Sequence, residues 1–303
     1  MARFALCLGI YGVEHYYGGD PASIVQVVRQ AERAGVDQCV ITDHVVMGER
    51  LDRYPYGQFL TPPDYQWWEP MTTLAVIAGA TTTIQLSQGV LIAPLRSAVL
   101  LAKQAATLDR LSAGRLVLGV GSGWQREEYA ASGIPFGART LRLVEQIKAM
   151  KTLWRDAPAE FHGETVSFER IYCKPFPTRP TGIPVWVGID ASAAHIEWMA
   201  EIADGWIPIE QDPAAYAPAI QALRRKVEAR ARDPRHFAVR AQVQPQVGSD
   251  GTPDLERTLR TIPSMLKAGV THVEILPCVF VRTPAQMDAF MDRLSRVKAE
   301  YGE

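Results

Sequence analysis

Strand-like and helix-like segments alternate eight times along this chain of 303 residues. Short apolar runs such as Gln38–Thr42 have the length and composition of buried strands, and each run precedes a segment with apolar residues at helical spacing. Five or six such units with a glycine fingerprint would indicate a doubly wound sheet, whereas eight is the number that a closed barrel requires. We therefore predict an α/β fold, a (β/α)8 TIM barrel.

The element boundaries follow from the apolar pattern and from capping residues. The predicted strands lie at 4–10, 38–42, 84–89, 115–120, 184–188, 205–209, 237–247 and 272–276. The predicted helices lie at 20–35, 69–80, 97–111, 141–154, 193–203, 212–232, 255–268 and 284–301. No segment rich in proline and serine divides the chain, so we predict that residues 1–303 form a single domain.

Two connections are too long to be simple links between neighbouring elements. The first, Val45–Trp68, follows the second strand and is rich in aromatic residues and proline. Because it leaves the carboxyl end of a strand, which is the functional side of a barrel, we predict that it forms a wall or lid over a substrate pocket. A packing or dimer-contact loop is the alternative. The second, Ala157–Gly182, precedes the fifth strand and contains a predicted hairpin at Phe161–Phe168.

The composition argues against several classes of function. A net charge of −1, without blocks of like charge, provides no basic field for nucleic acid or for an anionic membrane surface. No apolar stretch reaches the ~20 residues of a membrane span, so a cytoplasmic protein with a small-molecule substrate is expected. The four cysteines lack metal-binding spacing and are predicted to be buried thiols; they are Cys7, Cys39, Cys173 and Cys278.

Asp43-His44, after the second strand, is the only pairing of an acid and an imidazole at a predicted strand end. The imidazole of histidine titrates near neutral pH, so a histidine here can donate or accept a proton. We predict that His44 is catalytic and that Asp43 orients it. The alternative is a histidine packed at the barrel rim, with Asp43 as a turn cap. Of the other histidines, only His15 is a possible pocket residue.

A glycine-rich run, Gly119–Trp124, follows the fourth strand. It lacks the third glycine of a Rossmann fingerprint and the lysine of a P-loop, yet its glycines would let backbone amides approach a flat ligand or an anion. A tight strand-to-helix turn is the alternative. No metal-binding pattern and no nucleophile elbow occurs in the sequence. With so few acid–base groups available, we expect the chemistry to belong to a bound cofactor.

The stretch Leu86–Phe136 closely resembles the luciferase-like monooxygenase superfamily, particularly its F420-dependent branch. The supporting segments are AERAGVD…TDH (31–44), LAKQAATLDRLSAGR (101–115), GVGSGWQREEY (119–129), IPVWVG (183–188) and ADGW (203–206). The match covers most of residues 3–210 and only the outline of the last third. The resemblance implies a bacterial-luciferase-like barrel that binds FMN or coenzyme F420 at its carboxyl end.

The resemblance also assigns residues to the cofactor site. Asp43 and His44 fall near the cofactor ring and the substrate. Gly89-Val90 falls at the bulge that supports the ring; because family members often have a non-proline cis peptide there, we predict one. The other expected contacts are Gly121, Ser122 and Glu127 along the ring and ribityl side, and Gly188, Ile189 and Asp190 around the phosphate. Related sequences usually have a second glycine and a hydroxyl residue after the first glycine of this phosphate loop, and here Ser192 could supply the hydroxyl.

The TDHV segment, the RYPYG insert and the LW end of the fourth helix are most similar to the F420-dependent group. The resemblance thus implies an oxidoreductase that transfers a hydride between F420 and a small organic substrate. An FMN-dependent monooxygenase that uses reduced flavin and O2 is the alternative, and a non-catalytic barrel is a third possibility. Family members commonly pair through barrel helices, so a homodimer is expected.

Overall fold

The computed structural model describes residues 4–59 and 61–301, and eight parallel strands in it close into a barrel. Each strand pairs with the next along the chain, and the last pairs with the first, with Ala5 opposite His272. The strands are β1 Ala5–Gly9, β2 Gln38–Ile41, β3 Gln85–Gln88, β4 Leu116–Gly121, β5 Val185–Gly188, β6 Gly205–Ile207, β7 Ala238–Gln242 and β8 His272–Ile275. The predicted (β/α)8 barrel is confirmed.

A helix follows each strand, as the sequence predicts. The helices are α1 Ala22–Arg33, α2 Pro70–Ala80, α3 Ala98–Leu111, α4 Arg139–Arg155, α5 Ala193–Ile202, α6 Pro213–Glu228, α7 in two parts (Leu255–Leu259 and Ile262–Ala268) and α8 Pro284–Tyr301. Shorter helical turns lie at Val13–Tyr17, Leu51–Arg53, Ala93–Leu95, Arg126–Ala131, Pro234–His236 and Pro277–Phe280, and a two-residue strand at Leu91–Ile92. Several helix starts are capped by a side chain: Glu69, Ser192 and Asp212 each accept a backbone N–H of the following turn.

Two predicted elements are interrupted, and both contain a proline. The seventh strand was expected to continue to residue 247, but β7 ends at Gln242 and the chain forms a small hairpin of Gln246–Val247 with Pro253–Asp254. Pro245 has no N–H to donate to a ladder. The seventh helix breaks before Pro263, which cannot donate to the carbonyl of the preceding turn.

Both predicted insertions are present. Val45–Trp68 covers one side of the carboxyl ends of the strands, and Ala159–His162 pairs with Ser167–Ile171 as an antiparallel hairpin. The carboxylate of Glu145 on α4 attaches the hairpin turn by accepting three of its backbone N–H groups. No helix among the described residues is long and apolar enough to cross a membrane. Three of the four cysteines are buried as predicted, and Cys278 is half-buried.

The barrel interior contains a charged group that the sequence analysis did not predict. Arg240 of β7 is fully buried. It donates to Gln38 Oε1 at 2.8 Å, to Ser87 Oγ at 2.9 Å and to the carbonyl of Gln88 at 2.6 Å. Because these acceptors lie on β2 and β3, Arg240 ties opposite parts of the barrel together just below the carboxyl ends of the strands.

Candidate active site

A cavity of about 320 Å³ opens at the carboxyl ends of the barrel strands. We call it the strand-end cavity. Its walls come from the ends of β2 to β8 and from the insertion Val45–Trp68. The predicted site residues that line it are Asp43, His44, Gly89, Val90, Ser122, Gly188 and Ile189. The barrel therefore brings together residues that are up to 146 positions apart in the sequence, between Asp43 and Ile189.

The peptide bond between Gly89 and Val90 is cis, as predicted. The side chain of Val90 lies across the barrel mouth, over two glycines of the neighbouring strands. A Cβ on Gly121 would lie 2.5 Å from Val90 Cγ2, and a Cβ on Gly188 would lie 2.6 Å from Val90 Cγ1. Both glycines are therefore needed because they make room for Val90, which forms an apolar bed facing the cavity.

Asp43 is buried, and its carboxylate is fully engaged by the segment that follows this bed. Arg96 donates to Oδ2 at 2.6 Å and to Oδ1 at 3.0 Å, and the Ile92 N–H donates to Oδ2 at 2.8 Å. Burial lowers the pKa of Arg96, but the contacts with Asp43 and Glu69 outweigh this effect and raise it overall. Asp43 thus fixes the chain after the cis peptide, and no hydrogen bond joins it to His44 among the described residues.

The carboxylate that contacts His44 belongs to Glu128, a residue that the sequence analysis missed. His44 Nδ1 lies 3.2 Å from Glu128 Oε2, and Glu128 Oε1 accepts the N–H of Val45 at 2.7 Å. Glu128 is fully buried. This pairing fixes the ring of His44 and leaves Nε2 as the nitrogen that Glu128 does not engage. The adjacent glutamates in QREEY were the available signal, but the resemblance favoured Glu127.

The insertion supplies an aromatic wall beside His44, made of Tyr54, Phe59 and Trp67 together with Trp124 from the loop after β4. The ring of Trp67 lies 4.8 Å from that of His44, and Phe59 lies 5.7 Å from it. Phe59 also contacts Tyr54 at 5.1 Å and Trp124 at 5.3 Å between ring centroids. The insertion therefore lines the cavity, which supports its predicted role as a wall.

The floor of the strand-end cavity is polar. Gln242 of β7 and Glu274 of β8 are register partners, and both line the cavity. Burial raises the pKa of Glu274, and the Arg240 guanidinium, whose Nε lies 3.1 Å from Glu274 Oε2, lowers it to a smaller extent. A Cβ on Gly89 would lie 3.8 Å from Glu274 Oε2, so this carboxyl group lies beside the cis peptide.

A second cavity of about 350 Å³ adjoins the first and shares Tyr56, Ser122, Gly123, Trp124 and Ile189 with it. We call it the arginine pocket because Arg53, Arg126 and Arg139 line it. Arg53 Nη1 lies 3.4 Å from Glu127 Oε1. The guanidinium carbon of Arg126 lies 4.4 Å from the ring centroid of Phe136, and that of Arg139 lies 3.9 Å from it. Neither arginine has a carboxylate partner among the described residues. The pocket is therefore suited to an anion.

The predicted phosphate loop, Gly188–Ser192, borders the arginine pocket. Asp190 Oδ1 accepts the N–H of Ser192 at 3.0 Å and lies 3.0 Å from His195 Nδ1. Burial raises the pKa of Asp190, but the Ser192 N–H and His195 outweigh this effect and lower it. Asp190 is thus hydrogen-bonded within its own loop, and His195, which the sequence analysis did not count among the pocket residues, lines the pocket.

Two other positions considered in the sequence analysis lie outside the strand-end cavity. Glu127 lines the arginine pocket and not the strand-end cavity, and a Cβ on Gly48 would lie 2.6 Å from its Cβ. His15 is half-exposed and packs edge-on against Tyr65 at 5.5 Å, outside the residues that line either cavity. The site is therefore built around His44 and Val90.

Comparison with known proteins agrees with this architecture. A sequence model of the luciferase-like monooxygenase family matches residues 1–302. An uncharacterized protein of Mycobacterium tuberculosis is 32% identical over 206 residues, which cover 67% of this chain and 73% of that protein. The coenzyme F420-dependent tetrahydromethanopterin reductase of Methanopyrus kandleri has a similar fold, with a TM-score of 0.75, 18% identity and coverage of 100% of this chain and 99% of the other. The monooxygenase RslO1 of Streptomyces bottropensis has a TM-score of 0.77 at 16% identity, with 98% of each chain covered.

The closed parallel barrel, the cis peptide after β3 and the cavity at the strand ends define a barrel of the bacterial luciferase type. The chain belongs to the luciferase-like monooxygenase family. The solved structures that share its fold include an F420-dependent reductase and a monooxygenase.

Proposed function

We propose that this protein is an oxidoreductase that transfers a hydride between coenzyme F420 and a small organic substrate at the carboxyl end of the barrel. The observation that carries the proposal is the junction of the two cavities. An apolar surface at Val90 and His44, which contacts Glu128, lie in one cavity, and two guanidinium groups that have no carboxylate partner among the described residues lie in the other. A ring cofactor with an anionic side chain requires both features.

The residues present fit such a cofactor. Val90, seated on Gly121 and Gly188, would support one face of a flat ring, and no side chain could replace either glycine without moving it. Arg126 and Arg139 would bind the anionic end of the molecule, since guanidinium groups form charge-assisted hydrogen bonds with phosphate. When bound, the cofactor supplies the hydride acceptor or donor.

The chain's own part in the chemistry is proton transfer at His44. With Nδ1 donating to Glu128, neutral His44 has an unprotonated Nε2 that can accept the proton of a substrate alcohol. In the opposite direction, an imidazolium form of His44 can donate a proton from Nε2 to a developing alkoxide. Trp67 and Phe59 pack around the ring and shield it from water.

Cofactor binding tests the proposal directly. We expect F420 to bind the purified protein at micromolar concentration, measured by the change in its fluorescence. Replacing both Arg126 and Arg139 by alanine should weaken binding about 10- to 100-fold, because charge-assisted hydrogen bonds to the anionic end are lost. The same variant should bind the bare deazaflavin chromophore, which lacks the anionic side chain, as the wild type does. Arg235→Ala, at an exposed position, is the control.

Failure of the wild type to bind either F420 or FMN would contradict the cofactor assignment. If the double arginine variant binds the cofactor as tightly as the wild type, the cofactor assignment stands. In that case the arginine pocket does not bind the anionic end of the cofactor.

The second candidate is an FMN-dependent monooxygenase, which the similarity of the fold to RslO1 favours. The arginine pocket could bind a single phosphate as well as a longer anionic chain. We would measure oxygen consumption with reduced FMN, with and without a substrate that the protein turns over. Substrate-dependent oxygen consumption would favour this candidate, whereas F420 turnover without oxygen would favour the first.

We further propose that the protein forms a homodimer through α2 and α3. Val76 on α2 and Val99 and Leu100 on α3 are among the exposed large apolar side chains, and the two helices pack side by side. We expect the double variant Val76→Lys with Leu100→Lys to be monomeric in sedimentation experiments at micromolar concentration, because two lysines at an apolar interface are costly to desolvate. Tyr172→Lys, on the exposed hairpin, should leave the dimer intact. A monomeric wild type would refute the proposal.

A further inference from the structure

The two adjoining cavities differ in the sign of their charge. Three arginines line the arginine pocket, whereas no lysine or arginine lines the strand-end cavity among the described residues. The strand-end cavity instead contains three carboxylate residues, which are Asp43, Glu210 and Glu274. The arginine pocket is thus suited to an anion, whereas the adjoining strand-end cavity disfavours one.

Not all of these carboxylates are neutralised. Asp43 is paired with Arg96, and Glu274 has the contact with Arg240 described above. Glu210, at the exposed rim after β6, has no cationic partner within 4 Å among the described residues. Among the described residues that line the cavity, His44 is the single basic group, and Glu128 lies against it. The balance of charge in the cavity is therefore negative.

The opposite wall presents aromatic rings. Trp67, Phe59, Tyr54 and Trp124 form a continuous contact chain, with successive centroids 5.1 to 6.3 Å apart. The face of such a ring attracts a cation, most strongly for tryptophan, and it also packs against planar apolar groups. An aromatic wall together with Glu210, a carboxylate that has no cationic partner among the described residues, is suited to binding an organic cation.

We infer that the substrate is an organic molecule with a planar apolar body and a basic amino group, and that carboxylate and phosphate compounds are excluded. The inference rests on the proposed function only in assigning this cavity to the substrate. The amino group would lie near Glu210 or Glu274, and the apolar body would pack against the aromatic wall. An anionic group would instead meet the Glu210 carboxylate in a cavity that no lysine or arginine lines among the described residues, which costs binding free energy.

Three probes of one shape test the inference: phenylpropylamine, phenylpropanol and phenylpropionate. Their dissociation constants are measured by calorimetry and by quenching of tryptophan fluorescence, on the free protein and with saturating F420. We expect the amine to bind at least about tenfold more tightly than the carboxylate, with the alcohol between them. Glu210→Gln should weaken amine binding about three- to tenfold and leave alcohol binding unchanged. Glu228→Gln, at the exposed C-terminal end of α6, is the matched control.

Glu274→Gln should also weaken amine binding. Because Glu274 contacts the buried Arg240, this variant is compared only if its thermal unfolding matches that of the wild type. If it does not, Glu210→Gln alone tests the inference. Phenylpropionate binding as tightly as the amine, or failure of all three probes to bind at millimolar concentration, would overturn the inference. If F420 does not bind but the ranking holds on the free protein, the proposed function fails and the inference about the cavity stands.

Discussion

Replacement of His44 by alanine is expected to lower turnover by a factor of about 10² to 10⁴, the range attributed to a general acid or base. Cofactor affinity should stay close to that of the wild type, because the proposed cofactor contacts lie at Val90 and in the arginine pocket. The rate is measured from the absorbance of F420 with any substrate that the wild type turns over. His236→Ala, at an exposed position, is the control.

Glu128→Gln distinguishes the role of Glu128 in positioning His44 from its role in the stability of the fold. The amide oxygen of glutamine can still accept the N–H of Val45, so the free energy of unfolding should change little. The charge opposite His44 Nδ1 is lost, and we expect kcat to fall by about tenfold with little change in KM. Unchanged turnover in His44→Ala would contradict the acid–base role, and unchanged turnover in Glu128→Gln alone would contradict the positioning role.

Asp43→Ala is expected to destabilise the protein by on the order of 3 kcal/mol, because it leaves the partly buried guanidinium of Arg96 with a single carboxylate partner, Glu69. The N–H of Ile92 also loses its acceptor, which adds to the cost. The measurement is urea unfolding followed by circular dichroism. Since Ile92 follows the cis peptide closely, F420 binding should weaken as well.

Two variants control this prediction. Asp43→Asn retains an acceptor for the Ile92 N–H and should lie between wild type and alanine. Asp156→Ala removes a carboxylate from a more exposed pair with Arg155, for which about 0 to 1 kcal/mol is expected. If Asp43→Ala unfolds at the same urea concentration as Asp156→Ala, the buried pair does not stabilise the segment after β3.

Local patterns in the sequence were sufficient for most of the fold. Apolar runs and helical spacing predicted the eight strands and their helices. A parallel strand that is buried on both faces has a continuous apolar run, and a helix that is buried on one face has apolar residues three or four positions apart, so both patterns are visible in nearby residues. The errors occurred where a single proline outweighed the pattern, at Pro245 and Pro263. The resemblance to a family, and not the pattern itself, predicted the cis peptide at Gly89-Val90.

The sequence by itself determined the barrel and the edge on which the site lies. Only the tertiary structure decided which acid contacts His44. Asp43 is its neighbour in sequence, but successive side chains of an extended segment point to opposite sides, so Asp43 contacts Arg96 while His44 faces the cavity. Glu128, 84 positions away, reaches His44 because parallel strands bring their carboxyl ends to one rim. The spacing of residues along the chain does not predict a contact such as that of His44 with Glu128, because the contact forms only when the barrel closes.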